Sequence, residues 1–301
     1  MMMRYGSVCS GIEAATVAWH GLGWEPAFFS EIEKFPSAVL AHHYPHVPNH
    51  GDMTRFSEWP DAALDVFVGG TPCQAFSLAG FRKGLADPRG NLALVYLGIV
   101  GRYRPRWVVW ENVPGVLSSN GGRDFGSFVG GLGQLGYGWA YRVLDAAGFG
   151  VPQQRKRVFV VGHLGDWRPS AAVLFERNSF EGTTYMGVSE RSRNCLLPAF
   201  KVGMSESARR EIQSRVAIRL LTPVECERAQ GFPDNHTLIS YRGKPASKCP
   251  KGPRYKALGN SMAVPVMAWI GRRIQQVEDI LGAGDYAKDE LAKAEGRNSH
   301  D

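Results

Sequence analysis

The strongest constraint on the fold of this chain is an alternation across its first 165 residues, where short β-rich apolar runs take turns with segments of helical pattern. That alternation gives a parallel sheet with crossover helices. It predicts strands over residues 4–9, 26–30, 64–68, 107–110, 141–145 and 158–162, and helices over 12–20, 91–103 and 124–135. The expected fold class is therefore α/β, a doubly wound Rossmann-like sheet that meets ligands beyond the carboxyl ends of its strands. A chain of 301 residues with 44% hydrophobic content can bury such a core and still carry a smaller lobe.

The alternation fails near Asp166. From there to Ala217 the chain is polar and irregular, and holds Arg168, Arg177, Arg191, Arg193, Arg209, Arg210 and Arg215. Residues 222–230 then read as a helix, with Thr222 as N-cap, Pro223 at the first position, Glu225 at the third and Gly231 as the stop. A last helix is expected over 263–281, because Val266, Trp269, Ile270, Ile274 and Val277 fall on one face. The resulting organisation is a catalytic and cofactor-binding domain at 1–165, a small lobe at 166–218, a return to the main domain at 219–282, and a frayed tail at 283–301. No internal repeat is visible.

A formal charge of +7 and a pI near 9.2 favour a polyanionic partner without proving one. No apolar run reaches the length of a membrane span and the start lacks a signal-peptide core, so a soluble, cytoplasmic protein is expected. The five cysteines, Cys9, Cys73, Cys195, Cys226 and Cys249, are scattered and form no C-x-x-C pair, which argues against a zinc site or disulfide framework.

Among them, Cys73 has informative neighbours. It lies in Gly69-Gly70-Thr71-Pro72-Cys73-Gln74, directly after the third strand, on a stiff loop that presents a side chain outward as a nucleophile requires. A thiol of pKa about 8.5 is only a few per cent thiolate at neutral pH, so the site must either lower that value or couple attack to protonation of the substrate. Glu111, in Trp110-Glu111-Asn112-Val113, ends the next strand on the same rim, and its apolar flanks favour a proton-holding carboxyl. In Gln153-Gln154-Arg155-Lys156-Arg157, alternation puts Arg155 and Arg157 on one face, within reach of one base carbonyl or phosphate. Upstream, Val8-Cys9-Ser10-Gly11 closes the first strand, Glu31 ends the second where a carboxylate can accept from both ribose hydroxyls, and Asp52 follows in a loop suited to an adenine amine.

In this order and spacing, the blocks resemble the bacterial and phage DNA (cytosine-5)-methyltransferases. The resemblance runs from Ser7 to about Ile274 and also takes in Arg89-Gly90-Asn91-Leu92, the Thr222 to Pro233 block and Gly259-Asn260-Ser261, while omitting the arginine-rich lobe and the tail. It implies an S-adenosyl-L-methionine-dependent enzyme acting on double-stranded DNA. Cys73 would be the nucleophile and Glu111 the partner of cytosine N3, with Arg155 and Arg157 as active-site supports and Arg157 nearer the base. Cys9, Gly11, Ile12, Glu31, Ile32, Asp52, Met53, Pro72, Leu92, Asn260 and Met262 would line the cofactor pocket. No metal is implied. Glu13 stands where the family often has a second glycine, and Ile32 where an aromatic often stacks on adenine.

The arginine-rich lobe takes the place of the family's target recognition domain and is short for it. The last helix should pack beside the first. A monomer is expected, phage-like in its overall look, with a restriction endonuclease as a separate partner of the kind such enzymes serve. Two alternatives remain at this point: a transfer RNA cytosine-5 methyltransferase, and a non-catalytic DNA-binding relative. A Rossmann dehydrogenase stands further off, since no complete dinucleotide loop is present.

Overall fold

The computed structural model of the protein describes residues 2–72, 92–175 and 219–297, and for residues 284–297 the backbone alone. Its strands are β1 (Arg4–Val8), β2 (Glu25–Phe28), β3 (Val66–Gly69), β4 (Trp107–Asn112), β5 (Tyr137–Asp145) and β6 (Lys156–Leu164). They form one sheet in the order β2-β1-β3-β4-β6-β5. The first four are parallel, as the alternation predicts. The sixth runs antiparallel to both β4 and β5, which departs from the parallel expectation at that edge.

Eight helices occur among the described residues: α1 (Ala14–Trp19), α2 (Lys34–His43), α3 (Leu92–Tyr103), α4 (Arg123–Gln134), α5 (Arg168–Leu174), α6 (Pro223–Gln230), α7 (Lys251–Asn260) and α8 (Val264–Arg297). None of them is long and apolar enough to cross a membrane. The sheet is buried on both faces because successive strand residues point to opposite layers. Val66, Val68, Trp107, Val109, Phe159 and Val161 pack with Trp19, Val173 and Ile270 of α1, α5 and α8. Phe67, Val108, Trp110, Val158 and Val160 face the other way, onto Val95 and Ile99 of α3 and Phe128 and Leu132 of α4. Each fully buried side chain of this size contributes about 1.5–3 kcal/mol.

The last helix does pack beside the first. The Trp19 indole donates to Met267 O at 2.8 Å. Gly271 makes the approach possible, since a Cβ there would come within 2.4 Å of Trp19 Nε1. The backbone of α8 continues past Gly282 to Arg297, beyond the expected end of the helix. Helix α5 falls inside the span assigned to the small lobe, yet Val173 and Leu174 belong to the main core. Arg273 of α8 donates to the carbonyls of Val173 and Phe175. Residues 176–218, with the other six lobe arginines, lie outside the described residues.

A third cluster, including Ile12, Phe35, Val39, Phe232 and Leu258, seats α2, α6 and α7 against the first loop. Its polar seam is His236, which stacks on His43 at 4.3 Å and reaches Ile12 O through Nε2 at 3.0 Å. A carbonyl only accepts, so Nε2 carries the proton. Burial lowers the His236 pKa to about 4, reinforced by His43 and His42 and opposed by the Ile12 bond and Glu227. The unfolded chain therefore binds a proton near pH 6.5 that the folded chain refuses until about pH 4, so stability falls as pH drops through that window. The expected loss between pH 7 and pH 5 is about 2 kcal/mol. Denaturant melts at both pH values should read it, and a His236→Asn chain with the same pH dependence as the parent would refute it.

Candidate active site

Strand β4 brings the acid to the rim of the sheet. Its residues alternate, so Trp110 and Asn112 are buried while the Glu111 side chain stands at the carboxyl edge, 12% exposed. Arg157, at the start of β6, sets its Nε 3.0 Å from Glu111 Oε1. Burial raises the Glu111 pKa, and the charges of Arg157 and Arg155 act against it. The net direction leaves a carboxyl that holds a proton to higher pH than an ordinary glutamate.

The root of the Cys73 loop runs directly beside this carboxyl. A Cβ on Gly70 would come within 2.9 Å of Glu111 Oε2 and 3.2 Å of the Met262 methyl, so any side chain there would have to displace the Glu111 carboxyl. Thr71, next in sequence, is buried and doubly held: the Trp110 indole donates to its hydroxyl and the Asn112 amide to its carbonyl, each at 2.9 Å. Strand β4 thus carries Glu111 and pins Thr71, two residues before Cys73 in the sequence, at about 1 kcal/mol per bond. Pro72 is exposed. Cys73 itself lies outside the described residues, as does Arg89-Gly90-Asn91; Leu92 opens α3 and packs against the core layer beneath.

Glu111 and Gly70 share a pocket with Ser7 to Gly11, Glu13 to Ala15, Val68, and Asn260 to Met262, opening onto about 400 Å³ of empty space. Cys9, Gly11, Asn260 and Met262 are therefore brought together with Glu111. Glu31 joins through its carboxylate, which accepts from Gly11 N at 2.8 Å and from Glu33 N at 2.7 Å. Met53 touches Cys9, sulfur to sulfur, at 3.6 Å. Asp52 caps the turn after it, accepting from Thr54 N, and is exposed. Ile32 is 70% exposed near the same mouth. Ile12 is placed differently: its side chain is fully buried in the third cluster, facing Phe35 and Phe232, and the pocket wall omits it.

The walls mix hydroxyl and amide groups with Val8, Ala14, Val68 and Met262, which suits a nucleoside thioether with an amino-acid end. Cys9 has a thiol pKa pushed up to about 12, by burial first and Glu31 second, so it is no nucleophile at neutral pH. Glu13 explains its own departure from glycine. It adopts φ 60°, a left-handed conformation, and its buried carboxylate accepts from Ser7 Oγ and from Thr16 N and Oγ1, capping α1. The positive φ accounts for a glycine at this point, and the three donors offset the strain of having a side chain there. Thr71 and Glu13 are residues to which the sequence alone assigns no role; a hydroxyl two positions before the nucleophile is the available signal for the first.

The two arginines diverge. Arg157 pairs with Glu111, whereas Arg155 directs its terminal nitrogen to the carbonyls of Gly259 at 3.1 Å and Ser261 at 2.8 Å. Arg155 precedes β6 rather than lying in it, so strand alternation does not govern its side chain.

Residues 3–189 and 170–276 match the family described as C-5 cytosine-specific DNA methylase. The type II methyltransferase M2.BsuMI of Bacillus subtilis is 29% identical over 91% of this chain and 76% of its own length. A protein of Escherichia phage P1 named DNA N-6-adenine-methyltransferase is 32% identical over 96% of this chain, which spans 63% of that relative. The aligned stretch there is 480 residues, longer than this chain, so the phage protein carries insertions that this chain lacks. In fold, Dnmt2 methyltransferase of S. pombe superposes with a TM-score of 0.61 at 16% identity, covering 92% of this chain and 99% of that one. An E. coli prophage protein titled putative DNA modification methyltransferase gives 0.62 at 16% identity, covering 92% and 99%. This chain belongs to the C-5 cytosine-specific DNA methylase family and has its S-adenosylmethionine-dependent, Rossmann-like methyltransferase fold.

Proposed function

We propose that the protein methylates carbon 5 of a cytosine drawn out of duplex DNA, by way of a transient bond between Cys73 and carbon 6. The observation that carries this reading is the position of the Glu111 carboxyl against Gly70, three residues before Cys73, at one wall of the cofactor pocket. Carbon 6 of cytosine is a poor electrophile, and thiolate attack there places negative charge on the ring. A proton-holding Glu111 relieves that charge at N3, and Arg157 fixes the carboxyl for the task. Carbon 5 then becomes nucleophilic. S-adenosylmethionine, when bound, supplies the electrophilic methyl group. Loss of the carbon-5 proton and departure of the thiolate restore the aromatic ring.

Glu31 is suited to the ribose hydroxyls, Asp52 to the adenine amine, and Cys9, Gly11, Asn260 and Met262 to the remainder of the donor. The target base must leave the stack, at a few kcal/mol that phosphate and pocket contacts offset. Basic residues of the lobe at 166–218 would hold the phosphates, with affinity falling steeply in salt.

The name of the P1 relative makes adenine the rival base. Methylation of an exocyclic amine needs no thiol adduct, so a cysteine three residues after the glycine that abuts Glu111 favours cytosine. The test is to incubate the protein with labelled S-adenosylmethionine and either duplex DNA or transfer RNA, then digest to nucleosides. Label in 5-methyldeoxycytidine is the expected result. Label in N6-methyladenine, or in transfer RNA alone, overturns the proposal.

A further inference from the structure

We propose that Arg155 is a positioning residue for the methyl donor and not a contact to the target base. Asn260, the last residue of α7, and Ser261 and Met262, which lead into α8, supply one wall of the pocket. The last carbonyls of a helix have no intrahelical donor and must be satisfied from outside. The base of this wall is fixed by the buried pair of Arg254 with Glu227, at 2.9 Å, and by Gln230 Nε2 on Leu258 O at 3.0 Å. Its tip is fixed by Arg155 alone among the described residues, through the two carbonyls that flank Asn260.

Arg155 is itself rigidly mounted. Its backbone N–H donates to Asp145 Oδ1 at 2.8 Å and its carbonyl accepts from Ala146 N at 3.1 Å, so the end of β5 sets where the guanidinium starts. Both bonds leave the one terminal nitrogen Nη2, whose two N–H groups are fixed in the guanidinium plane, whereas the three donors of a lysine ammonium rotate on a shorter side chain. The contacts bridge 104 and 106 residues of sequence, joining the strand that carries Arg157 to the donor-pocket wall. Met262 abuts both Gly70 and the Glu111 side of the pocket, so slackening this wall would misplace the donor before it disturbed the acid.

The inference rests on the proposed function only for its second readout. Arg155→Met should weaken S-adenosylmethionine binding, measured by titration calorimetry, by about tenfold or more, which corresponds to about 1.4 kcal/mol. The second readout needs no donor. Reversible thiolate addition at carbon 6 lets carbon 5 take a solvent proton and lose its own, so DNA labelled with tritium at cytosine carbon 5 releases tritium to water as the thiolate departs. In Arg155→Met this release should fall by less than about threefold, well under the binding loss. Arg155→Lys, which keeps the charge near Glu111 and reaches one carbonyl, should bind the donor with intermediate affinity and serves if the methionine chain does not fold. Parental donor affinity in a folded variant, or loss of tritium release with affinity retained, overturns the proposal. If the parent itself releases no tritium, the proposed covalent chemistry fails, while the calorimetric result still decides the role of Arg155.

Discussion

Replacing Cys73 with alanine is expected to lower methyl transfer by more than about 10³-fold and to leave S-adenosylmethionine affinity within about twofold. The asymmetry follows from the architecture. The proposed donor pocket is walled, among the described residues, by 7–11, 13–15 and 260–262, whereas Cys73 is assigned to the bond with the base. Neither Cys9 nor Cys226 is suited to substitute: Cys9 is in the same pocket, but its thiol stays protonated at neutral pH, and burial and two neighbouring carboxylates also raise Cys226. Duplex DNA bearing 5-fluorocytosine supplies the companion measurement, because its carbon-5 substituent cannot depart as a proton. A slow-migrating adduct on a denaturing gel is expected with the parent and not with Cys73→Ala. Methyl transfer by the alanine chain at the parental rate would remove Cys73 from the mechanism.

Glu111→Gln should cost about 10²- to 10⁴-fold in kcat/KM, the range for loss of a positioned general acid. Glutamine matches the shape and preserves the space against Gly70, but cannot deliver a proton. The pH dependence gives a sharper test than the magnitude. Burial raises the Glu111 pKa above the ordinary value of about 4.3, so the protonated, competent fraction is full below that raised value and is lost as pH rises through it. The ratio of parental to Glu111→Gln rates should therefore shrink as pH rises, with thiol ionisation cancelling between the two chains. A ratio independent of pH would mean that Glu111 acts by charge or shape alone.

Much of this site is legible in the amino-acid sequence, for specific physical reasons. Cys73 comes after β3 in the sequence and Glu111 stands near the carboxyl end of β4; the apolar runs of both strands are plain in the sequence, and parallel neighbours deliver their carboxyl ends to one rim. The direction of β6 is not legible, because a two-residue alternation such as Val158 to Val161 reads the same in either sense. Helices α2 and α7 escape a reading by pattern for a shared reason. Pro36 and Pro253 stand at their third positions and look like breakers, although proline is tolerated in a first turn, where no intrahelical donor is lost. Resemblance assigns Ile12 to the pocket, but the turn at Glu13 sends its side chain into the core. The divergence of Arg155 from Arg157 depends on a loop 104 residues away, which no local pattern encodes.

The pocket proposed for the donor draws one wall from residues 7–11 and 13–15 and another from 260–262, and the Trp19 clasp on Met267 locks the two together. If this pocket holds S-adenosylmethionine as proposed, a nascent polypeptide leaving the ribosome cannot assemble the site until residues 260–267 have emerged and folded back. Interrupted translation or proteolytic cutting ahead of residue 259 should yield fragments without donor affinity, so this architecture keeps stray methylation by incomplete copies silent.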